Sequence, residues 1–261
     1  IWLVGLLQMF MTSCGLLGYA LVREGKSAFE GLRKDLPTAL LIGLIACGIT
    51  SGILAGLGKS TATTGAVLQR TDIIFTMFLG WMLVGDRFRT SDWFFLAILT
   101  AGAFAVMEFN LSSFKLANPY NLFFIASALG VSVNAFFIKY RIKYIGWALL
   151  AWINTTVQTV FYAILMFVFF REESLAALGK EPSIVWWLVG SSAWLVVYFL
   201  TYYESLERLP VWLVRVFLLT MPAFTLVIEY PLFGTRPYFI QAVGIGLVTV
   251  GVLGLTLVRR E

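Results

Sequence analysis

Residues 57–75, LGKSTATTGAVLQRTDIIF, and residues 206–224, LERLPVWLVRVFLLTMPAF, carry one pattern at positions 149 residues apart. The similarity continues beyond these stretches. The matched pairs are Leu57/Leu206, Lys59/Arg208, Val67/Val216, Thr71/Thr220, Phe75/Phe224, Leu83/Leu232, Gly85/Gly234, Arg87/Arg236, Thr100/Thr249 and Gly102/Gly251. An internal repeat of apolar segments is typical of membrane proteins built from two pseudo-symmetric halves. We therefore expect a functional site where the two repeats meet.

The composition indicates that most of the chain's surface faces lipid. Of 261 residues 60% are hydrophobic, and the mean hydropathy is +0.88. One water-facing globule of this size could not bury so much apolar surface. Charged residues make up only 13% and cluster between the apolar runs, because a charge at the bilayer centre costs at least ~2.5 kcal/mol. The net charge of +5 is thus a topology signal, and we predict no nucleic-acid partner.

The reactive residues of common enzyme sites are scarce. The chain contains no His, and its two cysteines, Cys14 and Cys47, lie inside apolar runs. Zinc sites, Ser-His or Cys-His catalysis and a disulfide framework are therefore disfavoured. We predict no catalytic residues, no metal site and no cofactor.

Nine apolar runs are long enough to cross ~30 Å of hydrocarbon as helices. They are residues 1–22, 38–58, 61–84, 91–109, 120–138, 147–170, 184–203, 210–232 and 239–257. Short segments with helix breakers, among them Pro37 and Gly85, separate them. The sequence predicts an all-α polytopic membrane protein with nine transmembrane helices and no soluble domain.

The Lys and Arg residues predict how the chain is oriented. Twelve of them fall on one side of the alternating spans, five on the other, and Arg70 and Arg215 fall inside spans. Short cytoplasmic loops carry the excess of positive charge. We therefore expect a multi-pass protein of the cell's inner (plasma) membrane. Its C-terminus should lie in the cytoplasm.

The repeat predicts two halves, residues 1–117 and 118–261. Spans two to four align with spans seven to nine, and Arg23-Glu24-Gly25 after span one resembles Arg171-Glu172-Glu173 after span six. Span 120–138 has no partner, and residue 1 is Ile within an apolar run, so we expect a first helix upstream. Five spans per repeat is an odd number, which predicts that the halves insert in opposite orientations, as in alternating-access carriers.

Two polar stripes at helical spacing are candidate solute contacts. Span six carries Trp147, Asn154, Gln158 and Tyr162, and span seven carries Trp187, Ser191, Trp194, Tyr198 and Tyr202. Asn154, Gln158, Tyr162, Trp194 and Tyr198 are the candidates for a shared polar cavity, because Trp187 and Tyr202 lie at the height of the interfacial aromatic belts. The alternative for span six is hydrogen bonding that joins helices, at ~0.6 kcal/mol per bond.

Charged residues within the spans are the sharpest candidates, since ionisable groups at depth mark functional sites. Arg70 and Asp72 lie on span three, and Arg215 and Glu229 lie on span eight. At ~1.5 Å per residue, Asp72 and Arg215 reach similar depths, so we predict that they pair across the repeats, and that Arg70 and Glu229 lie within reach of each other. Permanent salt bridges and snorkelling side chains are the alternatives.

Glycines predict close helix contacts. Gly48, Gly52 and Gly56 recur every four residues, and the last span carries Gly244, Gly246, Gly251 and Gly254. Small residues at this spacing let helix backbones approach. We expect internal packing, with contact to a partner chain as the alternative for the last span.

The repeated segments resemble a known family. Residues 64–69, TGAVLQ, then 83–88, LVGDRF, then Trp93 and 99–103, LTAGA, resemble the helix-loop-helix core of the drug/metabolite transporter superfamily, in its ten-span EamA-type branch. Family members show a Pro-aromatic pair in the first helix of this core and a small-Gly-acidic turn after it. Gly85-Asp86 fits that turn, and the second half keeps Pro222 and Phe224, although its turn, Gly234-Thr235-Arg236, lacks the acid.

The resemblance implies a carrier of small metabolites, often acting outward, through a cavity between the repeats. The polar stripes, the charges within spans and Gln69 together give the candidate solute-binding residues: Asn154, Gln158, Tyr162, Trp194, Tyr198, Asp72, Arg215 and Gln69. The expected partners are a small-molecule solute and the lipid bilayer, with coupling to a proton or ion and the oligomeric state left open. The rival readings are a channel or facilitator, an integral-membrane enzyme and a purely structural subunit.

Overall fold

The structure is a computed structural model that describes residues 2–23, 25, 29, 31–60, 62–106, 119–169, 183–224, 227–228 and 238–258. Within these residues the chain is helical and contains no strand. The helices are α1 (Trp2–Arg23), α2 (Leu32–Leu57), α3 (Ala62–Gln69), α4 (Asp72–Leu79), α5 (Thr90–Val106), α6 (Asn121–Arg141), α7 (Trp147–Phe169), α8 (Ser183–Arg208), α9 (Val211–Leu218) and α10 (Phe239–Val258). The all-α prediction is confirmed.

The nine predicted spans correspond to nine helical passages in the described part of the chain, with α3 and α4 forming one of them. Six of these passages are long and apolar enough to cross a membrane, and three are shorter apolar helices at 90–106, 211–224 and 239–255. Together they give a polytopic membrane fold. The passage of α4 ends in a π-helical turn, Gly80–Val84, followed by Gly85 at φ 75°, a conformation that glycine adopts at no steric cost.

Helix α2 begins earlier than its apolar run. It starts at Leu32 and contains Pro37, which the sequence placed in a connecting segment. Proline removes one backbone donor and is best tolerated near the start of a helix. Pro37 therefore does not end the helix here.

The chain divides into two compact units, residues 1–50 with 134–209 and residues 51–133 with 210–261. The boundaries at 50/51 and 133/134 fall inside α2 and α6. Each unit contains segments from both sequence repeats. The predicted division at 117/118 describes the sequence repeat, and it stays a prediction for the folding domains.

In the first unit, α1 packs against α7 and α8. Ser13 and Thr156 share a hydrogen bond of 2.8 Å between α1 and α7. A Cβ at Gly15 would meet Val196 Cγ2 at 2.8 Å, and a Cβ at Gly43 of α2 would meet Val157 Cβ at 2.7 Å. Glycines thus set how closely these helices approach, as expected for membrane helix packing.

In the second unit, the repeat-related helices α5 and α10 pack against each other. A Cβ at Gly102 would lie 2.7 Å from the backbone nitrogen of Val248, and a Cβ at Gly251 would lie 2.6 Å from Leu99 Cβ. Gly244 also faces α5, whereas Gly246 faces open space. The expectation of internal packing for the last span is confirmed at Gly244 and Gly251. Helices α4 and α9 join the same core through Ile73, Met77, Trp212 and Val216.

Candidate functional site

The repeat reappears as a matched break in two helices of the second unit. In the first repeat, Arg70 N–H donates to the Val67 carbonyl at 3.0 Å, and Thr71 N–H donates to the Leu68 carbonyl at 3.1 Å. In the second, Leu219 N–H donates to Val216 at 3.0 Å, and Thr220 N–H donates to Phe217 at 3.0 Å. These i→i−3 bonds are those of a tight 3₁₀ turn, which interrupts the α-helical ladder.

The threonine hydroxyls repeat the same geometry. Thr71 Oγ1 donates to the Leu68 carbonyl at 2.7 Å, and Thr220 Oγ1 donates to the Phe217 carbonyl at 2.6 Å. A hydroxyl bonded to the preceding turn supplies a partner for a carbonyl at the end of the helix and favours a bend there. Thr71 and Thr220 are one of the matched sequence pairs, so identical residues build identical breaks.

The breaks place Asp72 and Arg215 at helix ends that suit their charges. Asp72 is the first residue of α4, and Arg215 lies in the last turn of α9. An acidic residue at a helix N-terminus and a basic residue at a C-terminus are each stabilised by the helix dipole. Both side chains are about 8% exposed, so the dipoles act on them with little screening by water.

Asp72 and Arg215 form an ion pair. Arg215 Nη1 lies 3.7 Å from Asp72 Oδ2, which confirms the predicted pairing. The distance is longer than a direct hydrogen bond. Arg215 Nη2 donates instead to the backbone carbonyl of Val131 on α6, at 3.1 Å.

Helix α6 also forms a hydrogen bond with Asp72, the other residue of the ion pair. Ser132 Oγ donates to the backbone carbonyl of Asp72 at 2.7 Å and accepts from Thr76 Oγ1 at 2.9 Å. Adjacent residues of α6 therefore contact both α4 and Arg215. Span 120–138, which has no partner in the sequence repeat, supplies these contacts.

Gln69 and Arg70 lie at the same break. Gln69 Nε2 and Arg70 Nε are buried atoms without a hydrogen-bond partner among the described residues, and the charge of Arg70 acts on Asp72 together with that of Arg215. Buried donors without partners are rare in proteins. Glu229, the expected neighbour of Arg70, lies outside the described residues.

A second polar cluster lies in the first unit, on α7. Asn154 Nδ2 donates to the Tyr203 hydroxyl at 2.6 Å, and Gln158 Nε2 donates to Asn154 Oδ1 at 3.3 Å. Thr50 Oγ1 of α2 lies 3.5 Å from Gln158 Oε1, and Thr50 also bonds the buried side chain of Tyr162. The structure thus brings together three predicted residues, Asn154, Gln158 and Tyr162.

Tyr203 is a member of this cluster that the sequence did not single out. Its side chain is only 1% exposed, and it lies one residue past Tyr202, the last member of the predicted stripe. Ser192, which is 4% exposed, and Val196, which contacts Gly15 of α1, lie at helical spacing from Tyr203. The spacing of 192, 196, 199 and 203 is the sequence signal for this buried face.

Trp194 and Tyr198 lie elsewhere on α8. Trp194 is 70% exposed and lies nine residues from Tyr203, roughly 180° around the helix. Tyr198 is partly buried and stacks on Tyr202 with ring centroids 5.8 Å apart. Their place in a cavity shared with Asn154 and Gln158 stays a prediction.

Within the described residues, no group of three or more His, Cys, Asp or Glu side chains is arranged to hold a metal ion. The two clusters offer other chemistry. The cluster at the helix breaks carries a carboxylate and a guanidinium group, and the cluster on α7 carries amide and phenol groups. Both can bind polar parts of a solute without forming covalent bonds.

Comparison with known proteins identifies the family. The sequence profile of the EamA-like transporter family matches residues 1–107 and 118–257. A solved structure titled "Crystal structure of protein" is similar over 98% of this chain and 87% of its own length, with a TM-score of 0.79 and 16% sequence identity. At that identity the likeness supports the fold alone. No protein with a curated description matches the sequence. The profile match covers nearly the whole chain, so this protein belongs to the EamA-like transporter family, whose members are multi-pass membrane transporters of small solutes.

Proposed function

We propose that the protein is a secondary carrier that exports small metabolites or amphipathic solutes by alternating access between two inverted repeats. The main support is the pair of matched helix breaks, which carry Asp72 in one repeat and lie beside Arg215 in the other. Discontinuous helices at corresponding positions of two repeats are typical binding elements of secondary transporters. The profile match in two segments, 1–107 and 118–257, agrees with a repeated build.

The number of spans between the two breaks supports an inverted arrangement. The break at Thr71 lies in the third helical passage and the break at Thr220 in the eighth. The two passages are five apart in chain order, with four others between them, and five is an odd number. In the proposed arrangement, matched helices cross the bilayer in opposite directions, which lets one geometry serve both faces of the membrane.

The Asp72–Arg215 pair indicates which class of solute the protein would bind. A 3.7 Å separation leaves Asp72 and Arg215 attracted to each other but without a direct hydrogen bond. A zwitterionic or charged solute could replace each partner with an ammonium or carboxylate group of its own. Because a buried charge without a partner costs several kcal/mol, the pair would re-form when the solute leaves.

The distribution of basic residues supports placement in the cell's inner membrane with the C-terminus in the cytoplasm. The side that receives twelve Lys and Arg residues includes the segments that begin at Arg23, Gly85 and Lys139. Positive charge on short loops is retained on the cytoplasmic side during insertion.

Counterflow in proteoliposomes tests this proposal. Vesicles would be loaded with an unlabelled zwitterionic amino acid, an organic cation or an organic anion, and uptake of the same labelled compound would be followed with and without a pH gradient. We expect internal solute to accelerate uptake for at least one class. Uptake without such acceleration would indicate a channel or facilitator, and Asp86→Asn would serve as the control for Asp72→Asn.

A further inference from the structure

A positively charged surface lies at one end of the first unit, where α1 ends, α2 begins and α6 leads into α7. The Arg23 guanidinium carbon lies 5.1 Å from the centre of the Trp147 ring, and Lys34 Nζ lies 4.7 Å from the centre of the Tyr144 ring. These contacts join three separate segments of the chain. We call Arg23, Arg33, Lys34, Arg141, Lys143 and Tyr144 the basic patch.

The charges of the basic patch point outward. Its five cationic residues are all exposed. The described residues of these segments (19–23, 31–35 and 139–147) include one acidic side chain, Asp35, which is only 5% exposed. Asp35 Oδ2 accepts backbone hydrogen bonds from Lys143 at 3.0 Å, Tyr144 at 2.6 Å and Ile145 at 3.1 Å. The single buried acid is thus bonded to the backbone.

The same bonds hold the basic patch in place. Three consecutive N–H groups bonded to one carboxylate fix the loop that carries Lys143 and Tyr144 against the start of α2. Gly31 contributes as well, because a Cβ there would collide with the Tyr144 carbonyl oxygen. A surface whose backbone is already positioned loses less entropy when it binds a ligand.

The location of the basic patch determines which ligand meets it. It lies at the ends of membrane helices, where the Tyr144 ring is 59% exposed, and exposed aromatic rings at helix ends are typical of the headgroup region. The anions concentrated at that level of a bilayer are lipid phosphates. Each Lys or Arg near an anionic membrane surface strengthens binding about fivefold.

We propose that the basic patch binds the headgroup phosphate of an anionic phospholipid. The cations supply the charge, and the Tyr144 ring places the site at headgroup level. This site is separate from the two polar clusters and does not depend on which solute the protein carries.

Thermal unfolding in detergent tests the proposal. Dioleoyl phosphatidylglycerol, dioleoyl phosphatidylcholine or inorganic phosphate would be titrated into the purified protein while the unfolding midpoint is followed. We expect phosphatidylglycerol alone to raise the midpoint. The double variant Lys34→Gln/Lys143→Gln should need roughly 10- to 30-fold more of this lipid for a half-maximal shift. Lys59→Gln, at the opposite end of α2, should change this concentration less than twofold.

A second double variant, Arg33→Gln/Arg141→Gln, leaves the ring contact of Lys34 intact and covers the case in which the first variant does not fold. It should show a similar loss. An equal response to phosphatidylcholine or to inorganic phosphate would overturn the proposal. So would an unchanged lipid response in the folded double variants, or an equal loss in Lys59→Gln.

Discussion

Arg215 lies 3.7 Å from Asp72 while donating a hydrogen bond to the Val131 carbonyl. The guanidinium is therefore fixed by a neutral backbone group and attracted by a carboxylate that it does not directly bond. The backbone contact can persist if the carboxylate takes another partner. Under the proposed carrier function, this arrangement would keep the charge of Arg215 in position while its counter-ion changes.

Replacing Asp72 should affect both stability and transport. Asp72→Asn removes a counter-ion of the buried Arg215, which should cost about 3–5 kcal/mol of stability. Thermal unfolding and counterflow measure the two effects. Asp86→Asn, outside the ion pair, should stay within about 0.5 kcal/mol of the original protein.

Exchanging the two charges separates structure from transport. Asp72→Arg with Arg215→Asp keeps an ion pair and should restore part of the lost stability, because each charge then lies at the helix end that the dipole disfavours. It reverses the field at each helix end, so counterflow should remain low. Restored counterflow would mean that the pair has only a structural role, and failure to restore any stability would argue against the pairing itself.

Removing the Tyr203 hydroxyl tests the polar cluster on α7. Tyr203→Phe keeps the ring but leaves Asn154 Nδ2 without its 2.6 Å partner, which should cost about 1–3 kcal/mol. If Asn154 contacts the solute, KM should rise more than kcat falls. Tyr202→Phe, on the neighbouring face, is the matched control and should leave KM unchanged.

Two glycines on membrane helices should respond in opposite ways to the same change. Gly102→Ala places a Cβ 2.7 Å from the Val248 nitrogen and should destabilise the α5–α10 contact by about 1–3 kcal/mol. Gly246→Ala has open space around it and should be neutral or stabilising by up to about 1 kcal/mol, since alanine favours helix. Equal effects on the thermal midpoint would contradict this packing.

Single-cysteine labelling tests the proposed topology. In a Cys14→Ala/Cys47→Ala background, cysteines at Thr90 and Lys143 should resist an impermeant maleimide applied outside intact cells, whereas a cysteine at Lys59 should react. The segments at 23–37, 85–90 and 139–145, which include helix ends, carry most of the positive charge on the proposed cytoplasmic side. Strong external labelling at Thr90 would reverse the topology and remove the support for inverted repeats.

The pairing of Asp72 with Arg215 could be predicted from the type of the two residues and from their depth in the membrane. Both residues are ionisable groups inside apolar runs, and a regular helical rise sets their depths. Charged groups in the lipid core are costly, so two groups of opposite charge at the same depth tend to pair. The helix break beside Asp72 was not predicted, because the 3₁₀ bonds at Thr71 depend on backbone geometry that many threonines in helices do not adopt.

The inward face of α8 was harder to predict. Sequence spacing favoured the stripe that ends at Tyr202, but the buried face includes Ser192 and Tyr203. In a membrane helix almost every position is apolar or aromatic, so periodicity distinguishes faces poorly. Contact with α1 and α7 decides which tyrosine is buried and bonded.

By itself, the sequence determined the helical membrane fold, the repeat and the family resemblance. These follow from the length of apolar runs and from matched residues, because lipid requires every backbone polar group to be satisfied within a helix. Only the tertiary structure decided that Ser132 and Val131 support the charge pair, that Tyr203 orients Asn154, and that Asp35 holds the basic patch. Those contacts join segments distant in the chain, and close packing of side chains selects them.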